Sequence, residues 1–137
     1  MGKSISTRIA LGCAAGLLLA GYAQAADLNG AWANDVKICS KLFVKKNNKL
    51  RLTTNSDFYG SGFIIDGDQV KGKLASCRIK SRKVEGAKME MTAECATDIA
   101  NSTDHFVLRI DGEDKITRFF PGMTGIEMTY FRCPDMK

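Results

Sequence analysis

Ala87-Lys88-Met89-Glu90-Met91-Thr92-Ala93-Glu94-Cys95 separates into two interleaved sets, with Ala87, Met89, Met91, Ala93 and Cys95 on one face and Lys88, Glu90, Thr92 and Glu94 on the other. Successive side chains of an extended chain point to opposite sides, so this stretch is a strand with one apolar and one wet face. That is the pattern of an antiparallel sheet covered on one side. Upstream, Cys77 and Ile79 share a face, and a hairpin that opposes Cys77 to Cys95 is centred on Gly86. A bulged loop of three or five residues around Glu85-Gly86-Ala87, with glycine left-handed, supplies the turn.

The same period continues in both directions. Phe106, Leu108 and Ile110 alternate with Val107 and Arg109, and Asp111-Gly112-Glu113-Asp114 turns the chain into the run 115–120. Gly67-Asp68 joins 62–66 to 69–74 with glycine first, as a type II′ turn prefers, and Asn47-Asn48 closes a shorter hairpin. At the end of the chain Ile126, Met128, Tyr130 and Arg132 oppose Glu127, Thr129, Phe131 and Cys133. Helical spacing occurs once, at residues 34–43, where Val36, Cys39, Leu42 and Phe43 follow Asn34 as an expected N-cap. Seven to nine short strands with no βαβ alternation make an antiparallel sandwich or barrel.

The first 25 residues carry the features of a cleaved export signal: Lys3 and Arg8, an apolar stretch over 9–20, and Ala23-Gln24-Ala25 as the cleavage site. Glycines 12, 16 and 21 dilute a run already shorter than the roughly 20 residues a membrane span needs, so no membrane span is expected. Cleavage leaves a single domain over residues 26–137 and lowers the formal net charge from +5 to +3, too little to argue for nucleic acid. Cys39, Cys77, Cys95 and Cys133 then enter an oxidising compartment, the periplasm or the exterior, where an even set in a short chain is a disulfide framework. Strand parity pairs Cys77 with Cys95 and leaves Cys39 for Cys133. Their wide spacing, without a Cys-x-x-Cys, argues against a zinc or redox set.

Gly30-Ala31-Trp32 opens the first strand of the exported chain, Cys39 follows, and Arg132 lies on the last strand. This resembles the calycin pattern of lipocalins and their relatives. The resemblance implies a small up-and-down barrel of about eight strands, with one short helix after the first strand; a β-sandwich is the alternative. It also implies that Trp32 plugs one end of the barrel and that Arg132 packs across it as the closure. Within that group the chain is most similar to the small periplasmic metalloprotease inhibitors, which act through an N-terminal tail. Only Ala26, Asp27, Leu28 and Asn29 precede Gly30 here, and four cysteines stand where those inhibitors carry a pair.

No catalytic constellation stands out. In Ser102-Thr103-Asp104-His105, neighbouring side chains diverge along a strand and cannot converge as a triad requires. Asp66 and Asp68, and Asp111, Glu113 and Asp114, fall in turns, where aspartate serves the backbone. Met89, Met91 and Met128 with His105 offer thioether and imidazole donors for copper(I), but methionine on an apolar strand face is ordinary core filling. No metal or cofactor is expected.

The strongest surface signal is the set Lys71, Lys73, Arg78, Lys80, Arg82, Lys83 and Lys88, against the single acid Glu85. It reads as an anion-attracting strand face or as a charged edge that resists aggregation. Phe58-Tyr59 and Phe119-Phe120-Pro121-Gly122-Met123 are aromatic loops, which a simple meander puts at opposite ends of the sheet, with Phe120 and Met123 beside the loop 97–103. The functional expectation is an exported, monomeric, non-enzymatic binding protein, with inhibition as one form of that role. It would engage a protein or an anionic envelope component through the basic face, Phe120 and Met123. The alternative is a small-molecule carrier that uses the barrel interior.

Overall fold

The computed structural model describes residues 25–136, so the expected leader lies outside the described residues but for Ala25. Ten strands follow in order: β1 (Gly30–Ala33), β2 (Phe43–Lys46), β3 (Lys49–Leu52), β4 (Gly62–Asp66), β5 (Gln69–Lys71), β6 (Ser76–Glu85), β7 (Lys88–Ala96), β8 (Asn101–Gly112), β9 (Lys115–Phe119) and β10 (Glu127–Arg132). A 3-10 turn at Val36–Ile38 and one helical turn, α1 (Cys39–Leu42), separate β1 from β2.

Eight strands close a barrel in the order β1-β10-β9-β8-β7-β6-β5-β4, and β2 and β3 form a separate two-stranded sheet. Antiparallel pairing of β1 with both β10 and β4 removes the open edges, which decides for the barrel over the sandwich. Two-residue loops with positive φ drive the hairpins. Gly67 (φ 56) alone is left-handed in its turn, as a type II′ turn requires, whereas Asn47 (φ 50) and Asn48 (φ 63) both are, the type I′ pattern.

The β6–β7 turn differs from expectation. Glu85 faces Lys88 across the two-residue loop Gly86-Ala87, a register that by itself would put Cys77 opposite Ala96. A bulge between Ile79 and Ser81 takes up one residue, Lys80, and Cys77 then faces Cys95. Both pairings hold, Cys77–Cys95 and Cys39–Cys133. The cap of the first 3-10 turn is Asp35, whose carboxylate accepts from the Lys37 amide at 2.9 Å. Asn34, the expected cap, instead accepts from the Ser61 amide at 3.0 Å and ties β1 to the start of β4.

Two cores result. Inside the barrel lie Leu28, Trp32, Ile65, Ile79, Met89, Met91, Ala93, Cys95, Leu108, Ile116 and Tyr130. Outside the wall, Ala31, Ala33 and Ile64 meet Cys39, Leu42, Phe43 and Cys133, with Leu50 and Leu52 at the margin. β1 is therefore buried on both faces, and α1 with the β2–β3 hairpin forms a flap over it, stapled to the end of β10 by Cys39–Cys133.

The chain leaves β1 and enters β4 at the same end of the barrel, where Ala33 faces Gly62. The connection that carries Phe58 and Tyr59 thus shares an end with the loops 72–75, 97–100 and 120–126. The expectation that the two aromatic loops lie at opposite ends fails because six barrel strands, β4 to β9, separate them, and an even number of antiparallel strands returns the chain to the same end.

Candidate functional site

One end of the barrel is shut. Trp32 is fully buried and donates from Nε1 to the Leu28 carbonyl at 2.8 Å, while the Arg132 guanidinium lies 4.4 Å from the centre of its ring. Arg132 donates to the carbonyls of Asn29, of Asp27 (2.7 Å) and of Glu113 (2.9 Å), and its Nε is 3.0 Å from the Asp114 carboxylate. The turn acids are taken up in the same structural way. Asp68 pairs with Arg82 at 3.2 Å, and Asp111 accepts from Arg109 and Thr117 at 2.6 and 2.5 Å.

The other end is open, and a cavity of about 240 Å³ enters the barrel there. Phe63, Ile65, Val70, Met91 and Leu108 give it an apolar wall, and Ser61, Tyr130, Asp104 and Arg118 supply the polar atoms. The Tyr130 hydroxyl lies 3.2 Å from Ser61 Oγ, and its ring meets Phe63 edge-on at 4.8 Å. Arg118 points inward between Leu108 and Met128. Its guanidinium is held between the rings of Phe106 (4.7 Å) and Phe120 (4.6 Å), and its buried Nε has no hydrogen-bond partner.

Around this mouth each connection presents an exposed apolar side chain: Phe58, Leu74, Ile99 and Met123 are between 51% and 95% exposed, and Ile126 adds to the last loop. Met123 is thus where expectation put it, on the rim with the loop 97–100. Phe120 is half-buried and its ring is engaged with Arg118.

Of the basic residues only Lys73 lies in one of these loops, beside Leu74, and the rest do not gather there. They run along one side of the barrel, and five of the seven meet carboxylates: Lys73 with Asp57, Lys80 with Glu94, Arg82 with Asp68, Lys83 with Glu85 and Lys88 with Glu90. Hydrogen bonds and charge from these partners raise the Lys83 pKa and lower that of Glu90. Lys71 and Arg78 make no ion pair among the described residues. They line an outer groove of about 820 Å³ with Gln69, Ser76, Asn101 and Thr103.

His105 lies on the outside of β8, 3.2 Å from Thr92 Oγ1, whereas Asp104 lines the cavity, so the two do not converge. Met89, Met91 and Met128 belong to the interior, which separates them from His105 as well. The sulfurs of Cys77 and Cys95 come within 4.8 Å of the Asp104 carboxylate, but they are bonded to each other and offer no thiolate.

Arg118, Leu74 and Ile99 escaped the reading by residue type. Arg118 shares the inward parity of Ile116, and Leu74 and Ile99 are lone apolar residues in otherwise polar turns; both signals are present in the sequence. Comparison with protein-family models, curated proteins and solved structures gives no match to this chain.

Proposed function

We propose that the protein is an exported, non-enzymatic binding protein that engages a polypeptide partner through the open end of its barrel. The observation that carries this reading is the ring of apolar tips, one from each of four connections, around a single mouth. Exposed apolar residues scattered singly need no explanation, but four gathered on one rim, set in polar loops on a rigid barrel, have the character of a contact surface. Two disulfides in a short chain support the oxidising compartment that export supplies.

The basic face supports the reading less, because ion pairs neutralise most of it. A carrier of small molecules has one observation in its favour, the mouth cavity. Its volume of about 240 Å³ lies below the roughly 300–1,000 Å³ of most small-molecule sites.

Photocrosslinking from position 99 in the native envelope tests the proposal. One polypeptide is expected to be trapped, lost with Leu74→Asp and Met123→Asp and retained with Val84→Asp at the far end. Equal trapping by all three variants would overturn it.

A further inference from the structure

Resting on that reading, we infer that the mouth cavity captures the end of the partner chain, with the free C-terminal carboxylate on Arg118 and an apolar last side chain inside the barrel. The charge comes first. Arg118 is the cation of the cavity, makes no ion pair among the described residues, and holds a buried Nε–H without an acceptor. A buried donor left unpaired is costly, and a guanidinium fixed between two rings presents its remaining N–H groups as a rigid fork that matches a carboxylate.

Shape comes second. Beyond Arg118 the wall is Phe63, Ile65, Val70, Met91 and Leu108, which suits an apolar side chain, and the barrel is shut below by Trp32 and Arg132. A chain can therefore enter this mouth but not pass through it. The volume admits one residue, so the rest of a longer occupant must lie outside, where Leu74, Ile99 and Met123 await it. Asp104, at the cavity edge beside the Cys77–Cys95 sulfurs, makes no ion pair among the described residues. It is placed to accept a backbone N–H of the entering chain and to repel a second negative charge, which selects against an acidic last side chain.

Calorimetric and NMR titration of the whole exported protein with three probes tests this: acetyl-Ala-Ala-Phe with a free carboxylate, the same peptide amidated, and N-acetylphenylalanine. The free acid is expected to bind and to shift the Phe106 and Phe120 ring signals, and amidation to weaken binding at least about tenfold. Arg118→Gln should cause the same loss for the acid and none for the amide, with Arg118→Lys intermediate. Equal binding of acid and amide, or no binding of the acid at millimolar concentration, would overturn the inference without touching the rim reading, which the crosslink from position 99 judges separately. Binding of N-acetylphenylalanine as tight as that of the peptide would also overturn it, since a free small carboxylate would then be the occupant. The comparison of acid with amide uses the unaltered protein, so misfolding of an Arg118 variant cannot obscure it.

Discussion

Arg132 faces Trp32 across the β1–β10 ladder, and its guanidinium lies on the indole ring while donating to carbonyls from two other parts of the chain. The ring takes the alkyl stem and the delocalised charge, and the carbonyls of Asp27, Asn29 and Glu113 take the N–H groups, so a buried cation is satisfied without a buried anion. Gly30 makes room for this: with φ at 126, a side chain there would be strained and would approach Arg132 and the Met136 carbonyl.

Arg132→Met is expected to remove about 3 kcal/mol, because three carbonyls lose their donor, and to lower Tm on the order of 10 °C. Lysine cannot span the three acceptors and should recover less than half. Asp114→Asn should cost under about 1 kcal/mol, since that carboxylate is mostly exposed. Thermal unfolding followed by Trp32 fluorescence measures all three, and similar losses for Arg132→Met and Asp114→Asn would contradict this account of the closure.

Breaking Cys39–Cys133 is expected to lower Tm more than breaking Cys77–Cys95. The first encloses a span of 94 residues and the second a span of 18, so chain entropy assigns them roughly 4.5 and 3 kcal/mol. The longer link also holds the flap against β1. Paired serine variants compared by calorimetry give the order, and a larger fall for Cys77→Ser with Cys95→Ser would reverse it.

Deleting Lys80 should keep the Cys77–Cys95 bond. Removing the one extra residue of β6 leaves Ile79 opposite Ala93 and Cys77 opposite Cys95 in a ladder without a bulge. A thiol assay on the unfolded deletion variant is expected to find no free thiol among these four cysteines, as in the parent. Two free thiols in that variant would show that the bulged residue is itself needed for the pairing.

Alternation made the barrel legible because each wall strand has one face in the core, and the inward positions of β7, β8 and β10 follow from period two alone. Parity likewise paired the cysteines, although it assigned the odd residue to the Gly86 loop when it resides at Lys80. The bulge shifts the alternation of β6: Cys77 and Ile79 share a face with Cys95 and Ala93, whereas beyond it Arg82 and Val84 take the side of Met91 and Met89, so Val84 is the one apolar residue that marks the shift. The flap was not legible: Phe43, Leu50 and Leu52 have strand patterns like any other, and only their burial against the outside of β1 and β4 shows that they leave the ring. The mouth was hidden for a different reason: the two aromatic loops share an end only when all six strands between them, β4 to β9, are counted, and β5 is just three residues long.

Gly62→Ala tests the closeness of that flap. A methyl group there would lie 2.8 Å from the Trp32 carbonyl oxygen and equally near Leu42 and Phe43. A backbone oxygen in a ladder cannot move aside, so the substitution should destabilise by about 1–3 kcal/mol through overpacking. Gly67→Asn, at an open turn with nothing nearby, should cost less despite its positive φ, and chemical denaturation of the two variants distinguishes them.

Asp111 predicts how stability responds to acid. The Arg109 guanidinium and the Thr117 hydroxyl hydrogen-bond its carboxylate and lower its pKa against the opposing effect of burial. Arg109 is correspondingly raised, with Asp111 the main cause. A carboxyl whose folded pKa lies below its unfolded value, about 3.9, stabilises the fold above that value. The contribution is lost as pH falls through the unfolded value toward the folded one, because the unfolded chain takes up the proton first. Asp111→Asn should therefore be less stable than the parent by a constant margin from about pH 5 to 7, a margin that narrows below about pH 4. Urea unfolding of both proteins across that range measures it, and parallel curves throughout would mean that Asp111 keeps its ordinary pKa in the folded chain.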